Sequence, residues 1–64
     1  MALVIEFYVG EVKLHAVRAP SDSVPEALSV AREGLVYYKA RYARVVDMAQ
    51  AGKVVGIVHR DVLP

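Results

Sequence analysis

The sequence feature that most constrains the fold is an alternating pattern around Gly10. Apolar and polar residues alternate on both sides of this glycine between Leu3 and Arg18, and a period of two residues is typical of β-strands. A glycine at the first of two turn positions suits a type II′ turn. The segment therefore predicts a β-hairpin with strands at residues 3–9 and 12–19 and one apolar face.

A two-residue turn also fixes the expected register of this hairpin. The predicted pairs are Val9–Val12, Tyr8–Lys13, Phe7–Leu14, Glu6–His15, Ile5–Ala16 and Val4–Val17. In this register one face is apolar and the other brings together two groups of compatible charge, Glu6 and His15.

The middle of the chain predicts one long helix. Ser23 and Glu26 have the spacing of a capping box, and Pro25 is tolerated in the first helical turn. Apolar residues then recur at helical spacing. They are Leu28, Ala31, Leu35, Tyr38, Tyr42, Val45 and Ala49. Because Gly52 suits the position after a helix end, we expect a helix over about 24–51. The alternative is a helix that stops at Glu33, followed by a strand in the β-prone run beyond it.

The last segment predicts a third strand at residues 53–62. It is apolar on both faces at its start, which is typical of a strand that is central in the sheet or covered by a partner. The expected fold is therefore α+β, in the order β-β-α-β. One long helix would pack on one face of a three-stranded antiparallel sheet, in a single domain of residues 1–64.

Composition predicts association with another chain. Hydrophobic residues make up 56% of the 64 positions, which is more than a lone domain of this size easily buries. There is no cysteine and no close pair of histidines, so we expect no disulfide, no metal site and no cofactor. We expect a non-enzymatic homo-oligomer, most simply a dimer, in the cytoplasm. The rich Val, Ala and Arg content is typical of thermophilic proteins.

The outer face of the predicted helix is the expected partner-binding surface. It consists of Val30, Tyr37, Arg41, Arg44 and Met48. Tyrosine, methionine and arginine are enriched at protein interfaces. The plain alternative is a set of scattered apolar residues on an ordinary surface.

Nucleic-acid binding is a second use of the same predicted face. Lys39, Arg41 and Arg44 would meet phosphates, and Tyr37 could stack on a base. The net charge of +1 gives no global field in favour of this function. No apolar run approaches the length of a membrane span, so we expect no membrane contact.

The second face of the sheet is a competing interface in this interpretation. Val4, Tyr8, Val17 and Val58 would line it. Alternatively, the edge of the hairpin could pair with a second copy and extend the sheet.

One further pair of residues could carry chemistry. His59 and Asp61 are two positions apart on the last predicted strand and would share a face, where the aspartate could orient the histidine for proton transfer. The ordinary alternative is a polar strand end. The chain offers few polar groups that could converge on a pocket.

Two segments resemble known families. The segment "GKVVGIVHRDVL", Gly52 to Leu63, resembles the closing strand of CBS domains, and that resemblance implies adenine-nucleotide binding with Asp61 at the ribose. The hairpin and "SDSVPEALSVAREGL" are similar to the sheet-then-helix part of HicB-type antitoxins, which implies a regulator that binds nucleic acid.

Overall fold

A computed structural model describes residues 2–60. Its elements are β1 (Leu3–Val9), β2 (Val12–Arg18), α1 (Val24–Tyr37), β3 (Tyr42–Asp47), a 3-10 turn (Met48–Gln50) and β4 (Lys53–His59). The four strands form one antiparallel sheet in the order β2-β1-β3-β4. The single α-helix packs on one face of this sheet, so the α+β prediction is confirmed at this level.

The core lies between α1 and the two central strands. Ile5, Phe7 and Val45 are its largest fully buried side chains. Ala27, Ala31 and Leu35 face them from the helix, at the three- and four-residue spacing that places side chains on one helical face. Small residues on this face let the helix approach the sheet closely.

The start of α1 follows the predicted cap. Ser23 has extended backbone and its Oγ accepts a hydrogen bond from the Glu26 amide at 3.3 Å. Glu26 accepts a hydrogen bond from the Ser21 hydroxyl at 2.7 Å, and Ser21 Oγ accepts one from the Ser23 amide at 3.2 Å. The reciprocal half of the capping box is therefore relayed through Ser21.

The prediction of one helix over 24–51 is wrong, because α1 ends at Tyr37. Lys39 adopts a left-handed conformation with φ 57°. Its amide donates to the Val36 carbonyl at 3.3 Å, and the Ala40 amide donates to the Leu35 carbonyl at 2.9 Å. This pair of bonds is the Schellman arrangement that closes a helix. It is not visible in the sequence, because a lysine occupies the position where glycine is usual.

The chain beyond this end forms a strand that the three-strand prediction missed. β3 lies next to β1 in the middle of the sheet, where Tyr42 pairs with Tyr8 and Val45 with Ile5. The alternative reading placed a strand in this region, although it ended the helix earlier, at Glu33. Gly52 does not end a helix. It has φ 78° in the turn between β3 and β4.

The predicted third strand is β4, and it lies at the edge of the sheet rather than at its centre. The strand is described as Lys53–His59, and residues 61 and 62 of the predicted range lie outside the described residues. Its second edge is unpaired within residues 2–60. The sheet therefore has two edges, β2 and β4.

The predicted register of the hairpin is correct next to the turn and wrong further along the strands. Gly10 has φ 59°, as the predicted turn requires, and the pairs Val9–Val12 and Tyr8–Lys13 form as expected. A β-bulge then leaves Leu14 without an opposite residue, so that Phe7 pairs with His15. Every later pair is shifted by one residue. The shift turns His15 and Val17 toward the helix side and cancels the predicted Glu6–His15 pair.

Candidate partner-binding surfaces

A cleft lies between α1 and the edge strand β2. The helix packs mainly on β1, β3 and β4, and this leaves the inward side of β2 largely uncovered. The resulting cleft has a volume of about 370 Å³. Its lining residues are Phe7, Val17, Val30, Glu33, Gly34, Tyr37 and Tyr38. We refer to this set as the α1–β2 cleft.

Aromatic rings form much of the wall of the α1–β2 cleft. The ring of Tyr38 lies 4.8 Å from that of Phe7, 4.5 Å from that of His15 and 4.9 Å from that of Tyr37, between centroids. Tyr38 is half-buried on this cluster, whereas Tyr37 is 80% exposed at the rim. Such a mixture of a buried aromatic floor and an exposed tyrosine suits the insertion of an apolar side chain.

The five predicted partner-binding residues do not form one helix face. Val30 and Tyr37 both line the α1–β2 cleft. Arg41 lies in the connection to β3, and Arg44 lies within β3. Met48 is 57% exposed in the 3-10 turn. The prediction of a single surface is therefore wrong, because the helix ends before three of the five residues.

The competing interface is also divided between two surfaces. Val4 and Tyr8 lie on the sheet face opposite α1. Val58 is buried in the core, and Val17 packs against the core from the helix side. The bulge at Leu14 explains why Val17 lies on the helix side, because it reverses the face of the sheet toward which that side chain points.

The sheet face opposite α1, called here the open face, has three rows of cross-strand neighbours. The first row is Lys13, Tyr8, Tyr42 and His59, the second is Ala16, Glu6, Arg44 and Ile57, and the third is Arg18, Val4, Val46 and Val54. The rows run in order from aromatic to charged to apolar. The exposed side of the sheet is therefore chemically graded along the strands.

A charged cluster occupies the middle of the open face. Arg44 Nη2 donates to Glu6 Oε1 at 2.8 Å and to the Tyr8 hydroxyl at 2.9 Å, while Lys13 Nζ lies 3.1 Å from Glu6 Oε2. Partial burial opposes ionisation of Glu6, but the hydrogen bonds from Arg44 and Lys13 outweigh it and hold the pKa of Glu6 below its ordinary value. The hydrogen bond to Glu6 raises the pKa of Arg44. The cluster therefore neutralises the carboxylate of this face.

The sequence did not predict the surface to which three aromatic residues belong. Phe7 belongs to the predicted apolar face of the hairpin and Tyr38 to the predicted helical seam, yet both line the cleft. Tyr42 was assigned to the same seam but lies beside Tyr8 on the open face. The β-prone run from Tyr42 to Val46 could have indicated the position of Tyr42, because a strand there places Tyr42 and Arg44 on one face.

The remaining candidate chemistry depends on a residue that the structure does not describe. Asp61, the proposed partner of His59 and the ribose position implied by the CBS resemblance, lies outside the described residues. Within residues 2–60, no group of three His, Cys, Asp or Glu side chains could hold a metal ion. No helix in this range has the length and apolar character needed to cross a bilayer.

Comparison of the chain with models of known protein families, with curated proteins and with solved structures found no match. What the chain does is therefore inferred from its own residues and their geometry.

Proposed function

We propose that this chain is a small non-enzymatic interaction protein that forms a homodimer through the α1–β2 cleft. The observation that carries the proposal is the incomplete cover of the sheet, since α1 packs mainly on three of the four strands. The inward side of β2 and the floor of the cleft remain available to a partner. Association would bury apolar surface that this small domain cannot bury alone.

The exposed end of α1 supports a second copy as the partner. Val36 and Tyr37 are among the exposed large hydrophobic residues, and Tyr37 stands at the rim of the cleft that it lines. In a twofold dimer the same patch is used on both copies. Tyr37 of each copy could then enter the cleft of the other, where Val17 and Val30 offer apolar contacts.

The dimensions of the molecule are compatible with such an interface. The Cα atoms extend over 37 × 22 × 15 Å, so the molecule is a thin plate. A standard interface uses about 800 Å² of each partner, so a stable dimer would need contacts over the helix side beyond the cleft itself. The helix side of the plate can therefore provide a dimer interface while the open face stays free.

Solution mass by light scattering, measured over a range of protein concentrations, tests this proposal. We expect the wild type to be a dimer and Tyr37→Glu to be a monomer, because the substitution places a charge at an apolar contact. Circular dichroism should show the same fold for both, since the Tyr37 side chain is exposed.

Two matched variants control for the position of the interface. Met48→Glu and Ile57→Glu introduce the same charge at side chains that are 57% and 50% exposed elsewhere on the molecule, and we expect both to remain dimers. Loss of the dimer in Ile57→Glu alone would place the interface on the open face. A wild type that stays monomeric at about 100 µM, where weak but specific association is already populated, would overturn the homodimer.

A further inference from the structure

A second cavity lies on the other side of α1, between the last turns of the helix and the end of β4. Its volume is about 280 Å³, and its lining residues are Arg32, Leu35, Val36, His59 and Arg60. We refer to this set as the α1–β4 cavity. Positions 32, 35 and 36 share one face of the helix, because residues three and four apart are neighbours. The α1–β2 cleft is lined instead by helix positions 30, 33, 34 and 37.

The end of β4 directs Arg60 toward the helix. The Arg60 amide donates to the Arg41 carbonyl at 2.9 Å, so the pairing with the neighbouring segment continues past His59. The ring of His59 lies on the open face, 5.8 Å from that of Tyr42 between centroids. Because side chains alternate between the two faces of a strand, Arg60 points to the helix side. The two arginines therefore meet at one cavity.

Positive charge at the α1–β4 cavity has no carboxylate beside it among the described lining residues. Arg32 and Arg60 are exposed, and within residues 2–60 the ion pairs are those of Glu6 with Lys13 and Arg44. Two guanidinium groups at one cavity repel each other, and an anion between them is attracted to both.

The end of the helix does not compete for these arginines. The Leu35 carbonyl accepts a hydrogen bond from the Ala40 amide at 2.9 Å, and the Val36 carbonyl accepts one from the Lys39 amide at 3.3 Å. Free carbonyl groups at a helix end would otherwise attract cationic side chains. The guanidinium donors are therefore available to a ligand.

We propose that the α1–β4 cavity binds the phosphate group of a small ligand between Arg32 and Arg60. A planar guanidinium group presents paired N–H donors that match the oxygens of a phosphate. Leu35 is buried at the cavity, and Val36 is 69% exposed, so the two form an apolar wall beside the charges. A cavity of about 280 Å³ is at the lower end of the sizes that hold small molecules, which favours a compact ligand.

Titration of the isotope-labelled protein with inorganic phosphate, followed by NMR of the backbone amides, tests the proposal. We expect saturable shifts at the amides of Val36 and Arg60, with a dissociation constant of about 1 mM at low salt. Sodium chloride at the same ionic strength should not reproduce these shifts, because chloride does not match the fork of a guanidinium group. Absence of saturation up to about 20 mM phosphate would overturn the proposal.

Phenyl phosphate and benzoate identify the kind of anion. Tighter binding of phenyl phosphate than of inorganic phosphate would indicate an ester whose apolar part contacts Val36, and equal binding would indicate the free anion. Benzoate carries one charge, whereas a phosphate ester carries nearly two, so it should bind at least about threefold more weakly than phenyl phosphate. Equal or tighter binding of benzoate would overturn the choice of phosphate.

Charge-matched variants test the position of the anion. Arg32→Gln and Arg60→Gln should each weaken phosphate binding at least about fivefold, because each removes a charged donor. Arg18→Gln removes the same charge from an exposed position on β2 and should bind like the wild type. Equal effects of all three variants would indicate general electrostatic attraction and overturn the proposal, and the amide spectra show whether each variant is folded. The test is independent of the dimer, since Tyr37 lines the α1–β2 cleft and Tyr37→Glu should leave phosphate binding intact.

Discussion

Gly34 is buried in α1 directly against the ring of Phe7. A Cβ atom at this position would overlap Phe7 Cζ and Cε1. Glycine is unfavourable in a helix interior, by about 1 kcal/mol relative to alanine, so its presence here has a packing reason. It lets the helix approach β1 and allows Tyr38 to rest on Phe7 at the base of the cleft.

We predict that Gly34→Ala destabilises the protein by about 1–3 kcal/mol, because overpacking outweighs the gain in helix propensity. Urea unfolding followed by circular dichroism measures the change. Ser29→Ala is the control, since Ser29 is exposed on the same helix and this change should be slightly stabilising. A stabilised Gly34→Ala variant would show that Phe7 can move aside at little cost.

Glu6 connects protein stability to pH. The pKa of Glu6 in the folded protein is held below its ordinary value of 4.5, so its ionised form contributes stability at neutral pH. That contribution is lost as the pH falls through the folded-state pKa. Acid is therefore expected to lower the free energy of unfolding, because it weakens the ion pairs that join β1 to β3 and to β2.

We predict that Glu6→Gln lowers stability at neutral pH by about 1 kcal/mol, since Lys13 and Arg44 are partly exposed and solvent screens the pair. The difference from wild type should shrink as the pH falls below 4.5. Thermal unfolding across this pH range measures it, with Glu11→Gln as a control at an exposed turn position. A difference that is constant with pH would mean that ionisation of Glu6 does not stabilise the fold.

At the scale of elements, the end of α1 decides the architecture. A helix that continued to residue 51 would leave no segment for β3, and the sheet would lose its central strand. The closing hydrogen bonds require a residue with positive φ at Lys39. Lysine adopts this conformation at a cost of about 1 kcal/mol, which the burial of Leu35 and Ala40 in the core offsets.

We predict that Lys39→Gly stabilises the protein by about 0.5–1 kcal/mol, because glycine adopts positive φ without strain. Lys39→Ala is the matched control, since it removes the charged side chain but keeps the strain. Guanidinium unfolding of both variants separates the two effects. Equal stability of the glycine and alanine variants would show that the left-handed conformation at residue 39 is not strained.

The β-bulges are the second feature at this scale. One lies opposite Phe7 and Tyr8, and another lies where β4 pairs with Val45 and Val46. Bulges at sheet edges disturb the pairing of a further strand. They favour a partner that packs in the α1–β2 cleft over one that extends the sheet.

At the scale of the whole molecule, one helix cannot cover a four-stranded sheet. The uncovered parts are the α1–β2 cleft and the open face, which lie on opposite sides of the sheet. Three exposed hydrophobic residues lie on these surfaces, with Tyr37 at the cleft and Val54 and Ile57 on the open face. Both sides of the sheet therefore keep some apolar surface exposed to solvent.

The local structure of this chain could be predicted from its sequence alone. The turn at Gly10, the strand that precedes it and the cap at Ser23 each depend on residues within a few positions, so pattern and turn chemistry were sufficient. The apolar seam correctly placed Leu28, Ala31 and Leu35 on the inner face of α1. The excess of hydrophobic residues predicts association with another chain, and this stays a prediction.

The end of the helix and the grouping of side chains on surfaces depend on contacts between distant segments of the chain. The run from Tyr38 to Val46 is locally compatible with a helix or a strand. The positive φ of Lys39 cannot be predicted from the sequence, because lysine rarely adopts it. The strand is formed because β1 has a free edge and the core accepts Ala43 and Val45. Once that pairing forms, Tyr42 and Arg44 lie on the open face beside Tyr8, whereas Val30 and Tyr37 stay at the cleft, because side-chain direction in a sheet is set by the pairing of distant strands.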